Sequence, residues 1–166
     1  MSGMNLMKFL VKHFPQRAWE IRLLAFKATT PMLVYVAPEI VEINEEFTKL
    51  KVPLNFRTKN GFDSMFFAAI AAGIDLTGGF YGFGVAEENQ VGVLYKDVSI
   101  QFKRRVDEDL ILVTKDNRKV SEAIVEAASS GERISIPISA NGFSLEYSSD
   151  MPVVSATATL SVKRFK

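Results

Sequence analysis

The sequence predicts an α+β domain in which an antiparallel sheet is wrapped around one central apolar helix, with extra helices at the N-terminus. Residues 63–77 (DSMFFAAIAAGIDLT) are apolar on nearly every side of a helix, and such a helix must be enclosed by other elements. From Glu39 onward, apolar and polar residues otherwise alternate with the period of two that is typical of strands. Together these patterns indicate one sheet built around one helix.

The N-terminal residues repeat with helical spacing instead. Leu6, Phe9, Leu10 and Phe14 mark a first helix that Pro15 ends or kinks, and Trp19, Leu23 and Phe26 mark a second that closes at Thr29-Thr30-Pro31. We interpret both as amphipathic helices that pack against the domain or its partner. We therefore divide the chain into an N-terminal helical extension, residues 1–32, and the sheet domain, residues 33–166.

The ends of the central helix are predicted from their capping residues. Asp63 or Ser64 can cap its N-terminus, and Gly78-Gly79 supplies a stop. The following Gly82-Phe83-Gly84 is interpreted as a flexible connection, because it is too short to be a phosphate-binding loop.

Several strands and one further helix follow from the alternation. Predicted strands contain residues 41–43, 50–56, 98–102, 110–113, 134–138, 143–147 and 154–162, and a helix is predicted over 117–128. Asn44-Glu45-Glu46 is a hairpin connection, and Asn141-Gly142 marks a turn or bulge. Pro53 indicates an edge position or a bulge in its strand.

Composition excludes several classes of function. The chain has no cysteine and a single histidine, His13, so thiolate chemistry, a histidine-based triad and a multi-histidine metal site cannot be built within one chain. The net charge is +1, which gives no overall basic field for nucleic acid. No apolar run reaches the roughly 18 residues of a membrane span, and no signal peptide is evident. We expect a cytoplasmic protein.

Asp75 is the most informative residue, because it lies between Ile74 and Leu76 in the apolar segment with no cation in the helix to pair with. An ionised carboxylate there is costly without partners or water. It could be a catalytic base or nucleophile whose pKa is raised by burial. Equally, it could bond nearby backbone or simply reach solvent at the helix end.

Two polar residues stand before the helix. Asn60 lies in Lys59-Asn60-Gly61, and Asn-Gly ordinarily indicates a turn. The alternative is that the Asn60 amide donates a hydrogen bond to a substrate carbonyl. Asp63 is expected to cap the helix but would also stand at the mouth of any cleft. A rise of about 1.5 Å per residue places Asn60 and Asp75 roughly 20 Å apart. If both act on one substrate, two subunits must pair antiparallel, as in a two-fold dimer.

The stretch NGFDSMFFAAIAAGIDLTGGF resembles the signature segment of hotdog acyl-CoA thioesterases of the phenylacetate-pathway type, and still more a less characterised thioesterase-like branch of that superfamily. The resemblance covers roughly residues 35–165, and the helix at 117–128 looks like an insertion typical of the branch. It implies the hotdog fold, with Asn60 matching the family's Asn and Asp75 matching its acid. Downstream, LYKDVSIQFKRRV resembles the branch's next strand, and Lys96 and Lys103 fall at basic positions.

Four residues depart from the family pattern. Phe66 replaces the usual His, Asp63 replaces a Gly, and Phe67-Ala68 replaces a Gly-Gly pair. Backbone N–H groups at the helix start can still polarise a carbonyl. The bulk of Phe66 and Phe67 would line and narrow the substrate entry.

The resemblance implies hydrolysis of an acyl-CoA or acyl-carrier-protein thioester by a homodimer or homotetramer, with the coenzyme A thioester as substrate and no other cofactor or metal. Asp75, Asn60 and Asp63 are the catalytic candidates. Lys103, Arg104 and Arg105, the only basic run, are a solvated strand end or a site for nucleotide phosphates. The alternative function is a non-catalytic acyl- or lipid-binding dimer. In either, the N-terminal helices could form a lid over an acyl channel or an interfacial membrane contact.

Overall fold

The structure is a computed structural model that describes residues 3–144 and 151–164. Its helices are α1 (Gly3–His13), α2 (Ala18–Thr29), α3 (Pro31–Val36), α4 (Phe67–Asn89) and α5 (Asn117–Ser130), with a short 3-10 turn at Pro15–Arg17. Its strands are β1 (Glu39–Ile43), β2 (Thr48–Val52), β3 (Val91–Phe102), β4 (Leu110–Thr114), β5 (Ile134–Ser144) and β6 (Val154–Arg164). They form one six-stranded sheet in the order β1-β2-β4-β5-β6-β3, and every neighbouring pair is antiparallel.

The sheet and three helices enclose α4, as the apolar segment predicted. The N-terminal half of α4 packs Ile70 and Ile74 against β2, β4 and β6. Its C-terminal half shares an apolar cluster with α5, β3, β5 and β6. Leu76 and Phe80 pack against Leu23 of α2 and the neighbouring α3 and β2. By length and composition α4 is the one described helix that could cross a membrane, but 61% of its apolar window is buried inside the domain, as in a core helix.

The predicted ends of this helix were wrong. It begins at Phe67 after an extended Phe66, so neither Asp63 nor Ser64 caps it, and it continues through Gly78-Gly79 and Gly82-Phe83-Gly84 to Asn89. The glycines are places of close approach and not breaks. A Cβ on Gly78 would lie 2.5 Å from the Tyr95 hydroxyl, and one on Gly82 would lie 2.7 Å from Val120. Tertiary packing thus overrides the low helix propensity of glycine.

Gly73 offers a direct test of this explanation. A Cβ there would meet Val52 Cγ2 at 2.5 Å and Leu112 Cδ1 at 2.6 Å, whereas one on Gly61 would meet nothing within 4 Å. We expect Gly73→Ala to lower the free energy of unfolding by about 1–3 kcal/mol through overpacking, despite alanine's better helix propensity. Gly61→Ala, the control, should change it little. Urea unfolding of both variants measures the difference, and an equal or more stable Gly73→Ala would contradict the close-packing explanation.

β2, β4, β5 and most of β6 confirm the predicted alternation, whereas β1 and the second half of β3 are largely exposed; the strand ends also differ. β2 ends at Val52, so Leu54 and Phe56 lie outside it, and Pro53 follows an internal strand instead of marking an edge. Asn141-Gly142 lies within β5, paired in continuous register with β4 and β6, and makes no turn. β3 begins seven residues before the predicted start at 98, and α5 extends two residues beyond 128. The part of the predicted strand from Leu145 to Tyr147 lies outside the described residues.

Asn44 forms the predicted hairpin connection between β1 and β2. Its side-chain oxygen accepts hydrogen bonds from the backbone N–H groups of Glu46 and Phe47 at 2.9 and 3.0 Å. Asn117, at the start of α5, stabilises this turn. Its side-chain amide donates hydrogen bonds to the Asn44 carbonyl at 2.7 Å and to Thr48 Oγ1 at 2.9 Å. The turn is therefore tied to the sheet domain on both sides.

α2 packs against the core, as its amphipathic pattern predicted, whereas α1 packs on α2 with Leu6 and Phe9 about half exposed. Pro15 follows the end of α1, and the rings of Trp19 and Phe26 in α2 lie 5.9 and 6.2 Å from that of Phe80 in α4. α3 spans the predicted boundary between residues 32 and 33. The division of the chain there stays a prediction.

Candidate active site

Asp75 is the ninth residue of α4, in the body of the helix and not near its end. Its neighbours Ile74 and Leu76 are buried, at 3% and 0% exposure, but the Asp75 side chain itself reaches the surface of the chain. Enough protein surrounds the carboxyl that desolvation raises its pKa above the ordinary value for aspartate. Asp75 is thus an accessible carboxylate with an increased proton affinity, in the core helix.

Tyr95 of β3 lies directly against this part of α4. Its hydroxyl donates a hydrogen bond to the backbone carbonyl of Asp75 at 2.9 Å, in the space that the missing side chain of Gly78 leaves open. Burial first, and the nearby Asp75 charge second, raise the pKa of Tyr95 far above its usual range. The phenol therefore stays protonated and fixes the helix beside Asp75. Tyr95 was not predicted from the sequence; it precedes the strand predicted from residue 98, and its only signal was its place in LYKDVSIQFKRRV, the stretch that resembles the branch's next strand.

A second group of predicted residues meets at the other end of the helix. A cavity of about 400 Å³ is lined by the loop before α4, the first turn of α4 and the end of β3. Its walls include five of the residues predicted to act or bind: Asn60, Phe66, Phe67, Arg104 and Arg105. Lys103 and Asp63 are exposed nearby and do not line it.

Asn60 organises the loop that forms one wall of this cavity. Its side-chain oxygen accepts from the Phe62 N–H at 2.9 Å and from the Ser64 N–H at 3.3 Å, and its amide donates to Ser64 Oγ at 3.0 Å. Arg105 holds the same loop by donating to the Phe62 carbonyl. The turn interpretation of Asn60 is therefore satisfied in the single chain, and any contact with a substrate would use its second amide hydrogen.

Asp63 occupies an unusual backbone position in this loop. Its φ angle is +57°, in the left-handed region, where the family pattern has the more tolerant glycine. Its carboxylate is exposed and paired with Lys59 Nζ at 2.7 Å, and this hydrogen bond lowers the pKa of Asp63. A carboxylate with a lowered pKa that is already paired with a lysine is a weaker base than Asp75.

The first turn of α4 presents backbone donors at the cavity. Phe66, the residue before the helix, makes no side-chain cap. Its carbonyl accepts hydrogen bonds from the Ala69 and Ile70 N–H groups, so those of Phe67 and Ala68 are the ones without an intrahelical acceptor. The rings of Phe66 and Phe67 lie 5.0 Å apart in an edge-to-face arrangement and are 45% and 60% exposed. These donors carry the positive end of the helix dipole and suit an electron-rich oxygen.

Asp75 and these donors cannot reach the same atom within one chain. Asp75 lies eight positions after Phe67, which a rise of about 1.5 Å per residue converts to about 12 Å along the helix. The described residues therefore contain two halves of a site, at two places on α4.

Comparison with known proteins identifies the fold. The chain matches no protein-family model, and no curated protein matches it. A protein of unknown function from Chlorobaculum tepidum is 13% identical, with a TM-score of 0.76 over 91% of this chain and 97% of that one. A probable thioesterase from Pseudomonas aeruginosa is 12% identical, with a TM-score of 0.70 over 88% and 95% of the two chains. A thioesterase from Haemophilus influenzae is 15% identical, with a TM-score of 0.61 over 80% and 82%. This chain has the hotdog fold.

β3 is one of the two edge strands of the hotdog sheet. Within residues 3–144 and 151–164 it is the last strand in the order, pairs with β6 alone, and carries Leu94, Val98 and Phe102 at 69%, 47% and 53% exposure. A long exposed edge with apolar side chains is a surface on which another strand can pair. The same strand touches both half-sites, because Tyr95 bonds α4 at Asp75 and Phe102 lines the cavity at the helix start.

Within residues 3–144 and 151–164, no three His, Asp or Glu side chains come close enough together to hold an ion. The chemistry that the described residues can perform is carboxylate base or nucleophile chemistry next to backbone hydrogen-bond donors.

Proposed function

We propose that this protein hydrolyses the thioester of an acyl-CoA or an acyl-carrier protein at a site shared between two subunits. The observation that carries the proposal is Asp75, an accessible carboxylate with a raised pKa on the buried core helix. The names of the structures with this fold, several of them thioesterases, support the same reaction class. A cytoplasmic location stays a prediction.

The open edge of β3 supplies the geometry for sharing. In an antiparallel two-fold pairing whose axis passes between Val98 and Ser99, Tyr95 of one subunit lies opposite Phe102 of the partner subunit. Tyr95 hydrogen-bonds the backbone of Asp75, and Phe102 lines the cavity at the helix start. This pairing therefore brings each Asp75 to the other subunit's cavity. It also covers the apolar side chains of the strand.

Each group then has a role. The helix-start N–H groups of one subunit, with Asn60 as a further donor, bind the thioester carbonyl oxygen and stabilise the negative charge that develops on it. Asp75 of the other subunit activates a water molecule or attacks the carbonyl carbon directly. Lys103, Arg104 and Arg105 attract the phosphates of the carrier. The acyl chain lies along α4 between the two half-sites.

A second candidate function is an acyl- or lipid-binding hotdog dimer without turnover. The exposed Phe66 and Phe67 rings favour it, because they fill the entry to the helix-start donors. The engagement of the Asn60 side chain in its own loop favours it as well.

Release of free thiol from a panel of acyl-CoAs of increasing chain length separates the two functions. Hydrolysis predicts thiol release that saturates with substrate and depends on chain length. Binding alone predicts saturable association of the same acyl-CoAs, measured by calorimetry, with thiol release no faster than in buffer. The exposed Glu126 of α5 lies away from both half-sites, so Glu126→Gln is a control that should leave either result unchanged.

A further inference from the structure

Helices α1 and α2 expose large apolar side chains on one surface. Leu6 and Phe9 of α1 are 49% and 50% exposed, and Leu24 of α2 is 71% exposed. Leu6 and Leu24 line the same groove between the two helices, so they belong to one surface. Phe9 extends that surface, because it lies three positions after Leu6 and residues at this spacing are neighbours on a helix. We call Leu6, Phe9 and Leu24 the apolar patch.

Positive charge is concentrated beside the apolar patch. Lys8 and Lys12, four positions apart on α1 and both exposed, form a row next to Phe9. Residues 1–36 contain five lysines and arginines and one acid, Glu20, which gives them a net charge of +4. The whole chain carries +1, so the remaining residues carry −3. The helices with the apolar patch are therefore the basic part of an otherwise acidic molecule.

Apolar side chains bordered by lysines fit the surface of an anionic lipid bilayer. Leucine and phenylalanine enter the boundary between head groups and acyl chains, while lysine stems extend along it and keep their ammonium groups among the anionic head groups. A second copy of this chain fits less well. A two-fold contact through the patch would bring the Lys8 and Lys12 side chains of both copies together, and like charges oppose such a contact.

We propose that α1 and α2 dock this protein on an anionic bilayer, with the apolar patch in the interface and Lys8 and Lys12 on the head groups. The contact is peripheral and reversible, as expected for a small buried apolar area combined with a few basic residues. Leu23 of α2 packs in the core with Leu76 and Phe80, so the docked helices hold the hotdog domain at the bilayer. The proposal does not depend on hydrolysis, because binding is measured without turnover.

Sedimentation of the full chain with lipid vesicles tests the contact. We expect vesicles of equal parts phosphatidylcholine and phosphatidylglycerol to bind at least about tenfold more tightly than phosphatidylcholine vesicles. This preference should decrease as salt is added, because salt screens exposed charges. Equal affinity for the two kinds of vesicle, or no binding to either, would overturn the proposal.

Two double variants test the position of the charges. Lys8→Gln with Lys12→Gln should lower the affinity for the anionic vesicles by about thirtyfold, the effect of two lysines at such a surface. Lys115→Gln with Lys163→Gln removes the same charge from exposed positions outside α1 and α2 and should lower the affinity by less than about threefold. An equal loss in the two double variants would mean that net charge determines binding, and would refute docking through α1 and α2.

Leu24→Ser and Val125→Ser test the apolar contribution. Leu24→Ser should weaken vesicle binding by about tenfold, because less apolar area leaves water. Val125 of α5 is 54% exposed, and Val125→Ser should bind as the wild type does. Thiol release from soluble acyl-CoA, where the wild type shows it, should be unchanged in both variants. Wild-type vesicle binding by Leu24→Ser would contradict the proposal, and so would an oligomer without lipid that Leu24→Ser dissociates, since a second copy would then cover the patch.

Discussion

Asp75→Asn is expected to lower the rate of thioester hydrolysis by about two to four orders of magnitude, the usual contribution of a general base. Asparagine keeps the size of the side chain and some of its hydrogen bonding but can neither accept the proton nor attack the carbonyl. Thiol release under saturating acyl-CoA measures the effect. Substrate affinity should change little, because Asp75 acts on the reacting atoms and not on the carrier.

The pH dependence gives a second readout for the same residue. The pKa of Asp75 is raised by burial, so the rate should fall on acidification at a pH above the ordinary range of aspartate. Between the unfolded and folded pKa values the native state binds more protons, so stability falls as pH rises through that window. Asp75→Asn should therefore be more stable than wild type near neutral pH, and the gap should narrow in acid.

Glu126→Gln removes a carboxylate from an exposed position on α5 and should change neither the rate nor the acidic limb of the profile. Equal hydrolysis by wild type and Asp75→Asn would remove Asp75 from the mechanism while leaving the hotdog fold intact. Asp63 would then be the next acid to replace.

The second large effect is restoration of activity by mixing two inactive variants. Phe67→Pro removes the backbone donor at the first helical position, where proline is tolerated, and Phe66 already has the extended conformation (φ −68°, ψ 135°) that a following proline requires. Loss of one such donor should reduce the rate by about two to three orders of magnitude. In a dimer of one Asp75→Asn and one Phe67→Pro chain, one site carries both changes and the other carries neither.

Random reassociation of equal amounts makes half of the dimers mixed, so activity should return to about a quarter of the wild-type value. Each variant mixed with itself is the control and should stay inactive. A mixture that remains inactive, although size-exclusion chromatography shows exchanged dimers, would mean that Asp75 and the helix start act within one subunit or not at all.

The fold was predictable where the spacing of apolar residues in the sequence directly gives the side chains that pack in the core. The enclosed helix and the alternating strands follow from which side chains must avoid water, as at Ile70 and Leu112. The length of the helix was not predictable, because Gly78 and Gly82, judged from their sequence neighbours alone, indicate the end of a helix. They are helical only because Tyr95 and Val120 approach from distant parts of the chain.

The residues of the candidate site were likewise predictable only in part. Asp75 was identified because a carboxylate in an apolar helix is chemically conspicuous, and its raised pKa follows from that environment. Tyr95 was missed, since nothing local distinguishes it from other strand aromatics. The pairing of Asp63 with Lys59, which weakens Asp63 as a base, depends on a left-handed loop conformation that no motif in the sequence specifies.

The five glycines of α4 also bear on how the chain folds. Each lowers helix propensity by about 1 kcal/mol relative to alanine, so α4 has little stability of its own before the sheet forms around it. Closing that sheet requires β6, at residues 154–164, to insert between β3 and β5. The nucleus must therefore assemble from contacts distant in sequence, which slows folding. During synthesis, the core helix would become stable only after β6 had left the ribosome.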